Sequence, residues 1–344
     1  MASAARTPWI LRRLLTALVT LFGCTLLTFL LLDSAPADRA ALQVALRQQD
    51  GNYADEAARV RSLQQLRLAY GQLDAATLAP LPWAQRYGQW LRHALPCWPA
   101  EPHAETQRAW RRIGEALPAT VLLGSLALLV ALGGGIWLGL KLGAEAGGRW
   151  DRWLSPWLLL LVGTPEFLLA SLLMLLFGSA TLGWLPTHGL RTHGAHAWSA
   201  LAQCFDVLQH LLLPVLVLAS GPLVLVARFL RDSVRRQRTL PYVLQLRAFG
   251  LSDRLLRRRL LRNAAAPLAT LAGSLLPMLV GGSIMVENLF AIDGLGHLAV
   301  RAVQSQDQAL VLALLLLGAT AALVALLVSD LLHGWLDPRV RLQA

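Results

Sequence analysis

Residues 119–142, ATVLLGSLALLVALGGGIWLGLKL, carry no charge before Lys141, and their reading decides the fold class. A helix needs about 20 consecutive apolar residues to cross the hydrocarbon of a bilayer. Runs of the same kind occur at residues 10–32, 154–177, 207–229, 268–290 and 309–335. None alternates with the two-residue period of a barrel strand, so helices are the segments that satisfy their own backbone groups in lipid. The expected fold class is all-α: a polytopic membrane helix bundle of six transmembrane helices. Interior Pro165, Pro214, Pro222 and Pro277 predict kinks within continuous spans.

Composition agrees. Of 344 residues, 56% are hydrophobic and 15% charged, and the mean hydropathy is +0.51, which is wrong for an ordinary soluble domain. The net charge of +11 is concentrated in one place: residues 228–262 hold eleven arginines against Asp232 and Asp253, an excess of nine. A nucleic-acid role for that loop is disfavoured because no aromatic platform accompanies the charge. Its simplest account is retention on the cytoplasmic side, with anionic headgroups of the membrane lipid absorbing the charge.

Charge placement also sets the orientation. Arg6, Arg12 and Arg13 precede the first span, Lys141, Arg149 and Arg152 lie between the second and third, and Arg339 and Arg341 follow the last. The opposite short loops carry only Arg191 and Arg301. Both termini are therefore expected in the cytoplasm of a bacterial inner (plasma) membrane. The first run exceeds the roughly 7 to 15 residues of a signal-peptide core, so an uncleaved first span is expected despite Ala35-Pro36-Ala37.

The domain organisation follows. Residues 1–33 form the N-terminal tail and first span, 34–117 an external (periplasmic) subdomain inserted between spans 1 and 2, and 118–344 the core, with a cytoplasmic loop at 228–266. Within the insertion, helices are expected at 57–70, from Val60, Leu63, Leu66 and Leu68, and at 83–95, with Trp90 and Leu91 apolar.

The chain contains no GxxxxGK[ST] phosphate loop, HExxH or GxSxG, and its three cysteines show no metal-ligand spacing. No catalytic residue, metal site or cofactor is assigned to it. Solute movement against a gradient then needs a partner ATPase or an ion gradient.

Residues 241–253, PYVLQLRAFGLSD, followed by Arg262-Asn263 and Pro267, are the most specific feature. They resemble the cytoplasmic loop of permease subunits in the dipeptide/oligopeptide/nickel class of ABC importers, which reads approximately Tyr-x-x-x-Ala-Arg-Ala-Lys-Gly-Leu-Ser and then Arg-Asn and Pro. Other landmarks fall in the family's order: Arg12-Arg13-Leu14-Leu15, Tyr87 with Trp90-Leu91, Leu117-Pro118-Ala119-Thr120, Leu182-Gly183-Trp184-Leu185-Pro186, Glu287, Phe290, Gly294-Leu295-Gly296 and Leu336-Asp337-Pro338-Arg339. Pro241, Leu246 and Phe249 depart from the loop pattern, and the family's Gly-Asp-Leu-Gly after Tyr-x-x-Trp-Leu is replaced by Pro96-Cys97-Trp98-Pro99.

The resemblance implies that Tyr242, Arg247, Ala248, Gly250, Leu251 and Ser252 couple to an ATPase subunit. It implies a permease that forms half of the transmembrane pathway for peptides or a related small solute. The partners implied are a second homologous permease, two ABC ATPase subunits carrying ATP and Mg, and a periplasmic solute-binding protein. An ion-coupled secondary transporter and a non-transporting membrane scaffold are the alternatives. The first would need several intramembrane ionisable groups and usually an internal repeat; the second leaves the cytoplasmic motif unexplained.

Glu166 is expected near the middle of the third span. A charge there costs on the order of 3 kcal/mol on insertion scales, so it is a candidate pathway-lining group or a hydrogen-bonded structural one. Glu287 and Asp330 lie toward span ends, where structural pairing is the simpler account. His188, His193 and His196 read as loop histidines. A Cys97–Cys204 disulfide is permitted on the external side, and Gly133-Gly134-Gly135 with Gly139 predict close helix packing.

Overall fold

The computed structural model describes residues 6–33, 44, 56–69, 78–94, 104–144, 147–178, 181–252, 254–256, 258–260, 262–263, 268, 271, 275, 284–305 and 307–336. Its helices in chain order are α1 (Arg6–Asp33), α2 (Glu56–Ala69), α3 (Trp83–Ala94), α4 (Ala104–Ala144), α5 (Arg149–Gly163), α6 (Glu166–Phe177), α7 (Ala200–Arg238), α8 (Pro241–Ala248), α9 (Leu295–Gln304) and α10 (Gln308–Leu336). A 3-10 turn at Ala195–Ala197 precedes α7. The fold is an all-α, multi-helix membrane bundle.

Among the described residues, three helices are long and apolar enough to cross a membrane: Thr106–Ala144, Ala200–Arg238 and Ala309–Ser329. A fourth arises if α5 and α6 are counted as one bent span, and α1 contributes a shorter apolar stretch, Leu15–Leu30. Most of the predicted run at 268–290, with Pro277, lies outside the described residues.

The chain divides into two compact units. The smaller comprises residues 18–112 and 308–316. Inside it, the Tyr87 ring of α3 is buried, edge-on to Phe22 and Phe29 of α1 and stacked on Trp90. The Tyr87 and Thr25 hydroxyls are hydrogen-bonded at 2.8 Å. Tyr87 and Trp90 are three residues apart, so they share a helix face, and that face packs on apolar α1.

In the larger unit α7 is central: 72% of its most apolar window is buried, against 22% for the corresponding window of α4. Helices α5, α6 and α8 each pack on α7. On α4, buried Ala127, Ala131, Gly135, Gly139 and Gly143 recur every four residues and so form one face. A Cβ at Gly135, Gly139 or Gly143 would press on Val226, the Ala227 carbonyl or Val234 of α7. Close backbone approach through small residues is how membrane helices pack without a hydrophobic drive. Gly133 faces open space and takes no part.

The expected kink at Pro165 is instead a full break. Helix α5 ends at Gly163, α6 starts at Glu166, and the two are bent by 108°. Proline disfavours the helical region for the residue before it, and Thr164 is extended at φ −84°, ψ 122°. The Thr164 hydroxyl and amide both donate to the Leu160 carbonyl, at 2.8 and 3.0 Å, closing the end of α5. Pro214 and Pro222 do lie inside a continuous helix, the heavily packed α7.

Candidate functional site: the seated helix of the arginine-rich loop

The loop motif folds as a helix, a stop and a restart. Helix α8 ends at Ala248 and is followed by Gly250 at φ +77°, a left-handed conformation that glycine adopts without a Cβ penalty. The Leu251 amide donates back to the Leu246 carbonyl at 3.1 Å, a Schellman closure. The Ser252 carbonyl then accepts the Leu256 amide at 3.0 Å, so Ser252 stands at the N-cap of the next helical segment. Gly250, Leu251 and Ser252 thus connect α8 to the next helical segment.

One face of α8 is buried. Val243 packs with Leu230 and Val234 of α7 and with Leu256 and Leu260, against Ile136 and Leu140 of α4, Tyr242 and Leu246. The half-buried Tyr242 hydroxyl donates to Gln237 Oε1 at 2.9 Å and accepts from Asn263 Nδ2 at 3.0 Å. The Tyr and Asn of the motif, 21 residues apart, therefore meet in one contact. On the outer face Leu244, Ala248, Phe249 and Gly250 are exposed, as is Ser252, while Leu251 is partly buried. Phe249 is 84% exposed, a large apolar side chain with little cover among the described residues. The Arg247 side chain lies outside the described residues.

Beside this seat, Asp151 of α5 is 5% exposed and accepts Arg231 Nε at 2.7 Å and Nη2 at 2.9 Å. It also accepts the Gly147 amide and the Ser155 hydroxyl, both at 2.9 Å. Arg238 Nη1 donates to the Gly143 carbonyl at 3.3 Å. The ends of α4, α5 and α7 nearest α8 are therefore tied together by side chains as well as packing. Lys141 Nζ sits 3.7 Å from the centroid of the Trp150 ring, a cation–π contact.

Glu287 is fully buried, not at a wet helix end as its position suggests. Its carboxylate accepts the Thr120 hydroxyl at 2.8 Å and the Gly296 and His297 amides at 2.6 and 3.3 Å. Thr120 Oγ1 in turn accepts the Leu295 amide at 2.8 Å. Together they satisfy the first three amides of α9, where a negative charge is favoured by the helix dipole.

Glu166 stands in the first turn of α6, partly buried beside the break, at a helix end although near the middle of the bent α5–α6 pair. Two groups were missed: buried Asp206, which accepts the Thr192 hydroxyl at 2.6 Å and amide at 2.9 Å, and buried His210, one turn later on α7. Their i, i+4 spacing at the start of an apolar run was the available signal. His188 and His193 are exposed. The His196 and Asp330 side chains and Cys97 lie outside the described residues, while Cys204 is a free, exposed thiol.

Long apolar helices with a loop helix seated on two of them define a membrane subunit. The chain belongs to the family of binding-protein-dependent transport system inner membrane components, which matches residues 132–342. A putative peptide transport system permease protein of Brucella abortus (strain 2308) is 31% identical over 337 residues, 97% of this chain and 99% of the relative. The oligopeptide transport system permease protein AppB of Bacillus subtilis (strain 168) is 27% identical over 333 residues, 96% and 98% of the two chains. The peptidoglycan transport system permease protein YejB of Agrobacterium fabrum (strain C58 / ATCC 33970) is 31% identical over 229 residues, 66% and 63%. The protein is a multi-pass permease subunit that forms part of an ABC-type transport pathway.

Proposed function

We propose that this chain forms half of the transmembrane pathway of a peptide importer. It pairs with a second, similar permease; a periplasmic binding protein delivers the solute, and two ATPase subunits bind ATP and Mg. Six spans place both termini in the cytoplasm, with the external subdomain at 34–117, the core at 118–344 and the coupling loop at 228–266. Peptide is the favoured cargo because relatives covering nearly the whole chain are described as peptide or oligopeptide permeases.

The observation that carries this reading is the geometry of α8. Its inner face is fixed to α7 and α4, while Leu244, Ala248 and Phe249 project outward. Such an element transmits a push: a subunit gripping the outer face moves both long helices with it. Ala248, Gly250, Leu251 and Ser252 supply the turn that presents this surface, Tyr242 holds it down from within, and Arg247 belongs to the same coupling motif. Phe249, where the family pattern has a basic residue, gives the contact an apolar anchor. Glu166, at a helix break with a half-buried carboxylate, is the candidate pathway group for a cationic or amino-terminal portion of the solute.

The test is co-purification of the detergent-solubilised permease with its neighbouring ATPase subunits. Phe249→Glu combined with Ala248→Glu changes exposed positions, so the membrane fold should survive. Capture by the native chain and loss with the variant is the expected result. Undiminished capture by the folded variant would place the ATPase contact elsewhere.

A further inference from the structure

We propose that Asp151 and Arg231 are the positioning pair that carries displacement of α8 into α5, so that the helix leading to the 108° break moves with the coupling loop. The proposal rests on α8 being the ATPase contact. Four observations converge on it.

Arg231 lies on α7 between Leu230 and Val234, the two α7 residues of the cluster that packs against Val243 of α8. Whatever moves α8 therefore moves the helix turn that carries this guanidinium. The Arg231–Asp151 contact is a fork: Nε and Nη2 reach separate carboxylate oxygens at 2.7 and 2.9 Å. A two-point contact resists rotation as well as separation, which a single ammonium cannot do. Asp151 is in turn fixed to its own helix, because Ser155 donates to Oδ1 and the Gly147 amide to Oδ2, each at 2.9 Å. Lastly, the rest of α5's packing on α7 is apolar: Leu158 is buried with Val224, with Leu154, Leu161 and Leu223 beside it, while Trp150, Trp153 and Trp157 are exposed. Apolar packing is non-directional, so among the described contacts the fork is the directional tie between the two helices.

The pair thus differs from an exposed surface ion pair, whose partners separate at little cost. Asp232 also approaches Arg231, at 3.3 Å from Nη1, but it is exposed and on the same helix, so it transmits nothing between helices.

The experiment uses the assembled permease–ATPase complex in a cysteine-free background, spin-labelled at Arg236→Cys on α7 and Leu159→Cys on α5, both exposed positions. Distances are measured by electron–electron double resonance, without nucleotide and after trapping with ATP and vanadate. With native Asp151 and Arg231, one narrow distance should persist in both states. With Arg231→Lys, ATPase capture and thermal stability should be retained, while the trapped state shows a displaced or broadened distance and ATP hydrolysis by the complex falls about tenfold. The exchange Asp151→Arg with Arg231→Asp should restore the narrow distance. A distance that changes with nucleotide in the native pair, or stays narrow and unchanged in Arg231→Lys, overturns the proposal. So does a variant that loses only stability. If the native chain captures no ATPase, the coupling reading itself falls, an outcome separate from any distance result.

Discussion

Thr120 donates its hydroxyl to the buried Glu287 carboxylate at 2.8 Å, across 167 residues of sequence, and the two together cap the first turn of α9. A carboxylate withdrawn from water persists only when its oxygens are satisfied. Here an O–H and two amides do so, without a cation among the described contacts.

Removing that carboxylate strands its donors. Glu287→Ala should destabilise the folded permease by about 3 kcal/mol, since hydrogen bonds to a charged group are the costly ones to lose. Glu287→Gln keeps one acceptor oxygen for Gly296 and should cost less. Thermal unfolding in detergent measures both, and equal losses for Ala and Gln would contradict the capping role.

The glycines of Gly-Leu-Gly are explained by the same contact. A Cβ at Gly294 would collide with the Glu287 carboxylate and Thr120 Oγ1, and one at Gly296 with the backbone of Ile284. Gly294→Ala and Gly296→Ala should each lower the yield of folded protein, as judged by size-exclusion chromatography. A monodisperse native-like peak for both would mean that α9 is not held so closely.

The helix stripe offers a paired comparison. At Gly139 an added methyl meets the Ala227 carbonyl and Leu230, whereas Gly133 is open. Gly139→Ala should destabilise by about 1–3 kcal/mol through overpacking. Gly133→Ala should be neutral or stabilise by up to about 1 kcal/mol, because glycine loses more conformational freedom in a helix. The sign difference is the quantity to measure.

In the coupling loop the inner and outer faces of α8 should respond differently. Tyr242→Phe removes a hydroxyl shared by Gln237 and Asn263 and should cost about 1 kcal/mol of stability, with ATPase capture largely retained. Phe249→Glu should leave stability unchanged and abolish capture. Gly250→Ala, which forces a Cβ into φ +77°, should cost about 1–2 kcal/mol. Thermal unfolding and co-purification on the same three variants separate the roles.

Much of this was legible beforehand. Hydropathy over about 20 residues is a local property, so the apolar runs now within α4, α7 and α10 could be read directly from the chain. Helices Glu56–Ala69 and Trp83–Ala94 fall within a residue of where side-chain periodicity put them. Among the site residues, Gly250 and Ser252 were found by motif, but the division of α8 into an inner Tyr242 and an outer Phe249 was not. That depends on which side α7 occupies, and no residue of the motif encodes it alone.

Local composition is enough to make this chain a helical membrane protein with one strongly basic loop, because lipid demands long apolar helices and charge cannot follow them across. Packing between helices settled that Pro165 breaks its helix while Pro214 and Pro222 do not. It likewise decided that Glu287 caps a distant helix and that Asp151 and Arg231 lock two helices together. Each of these outcomes turns on a neighbour tens of residues away or on how densely α7 is packed, and the free energy of such contacts exists only once the helices have assembled.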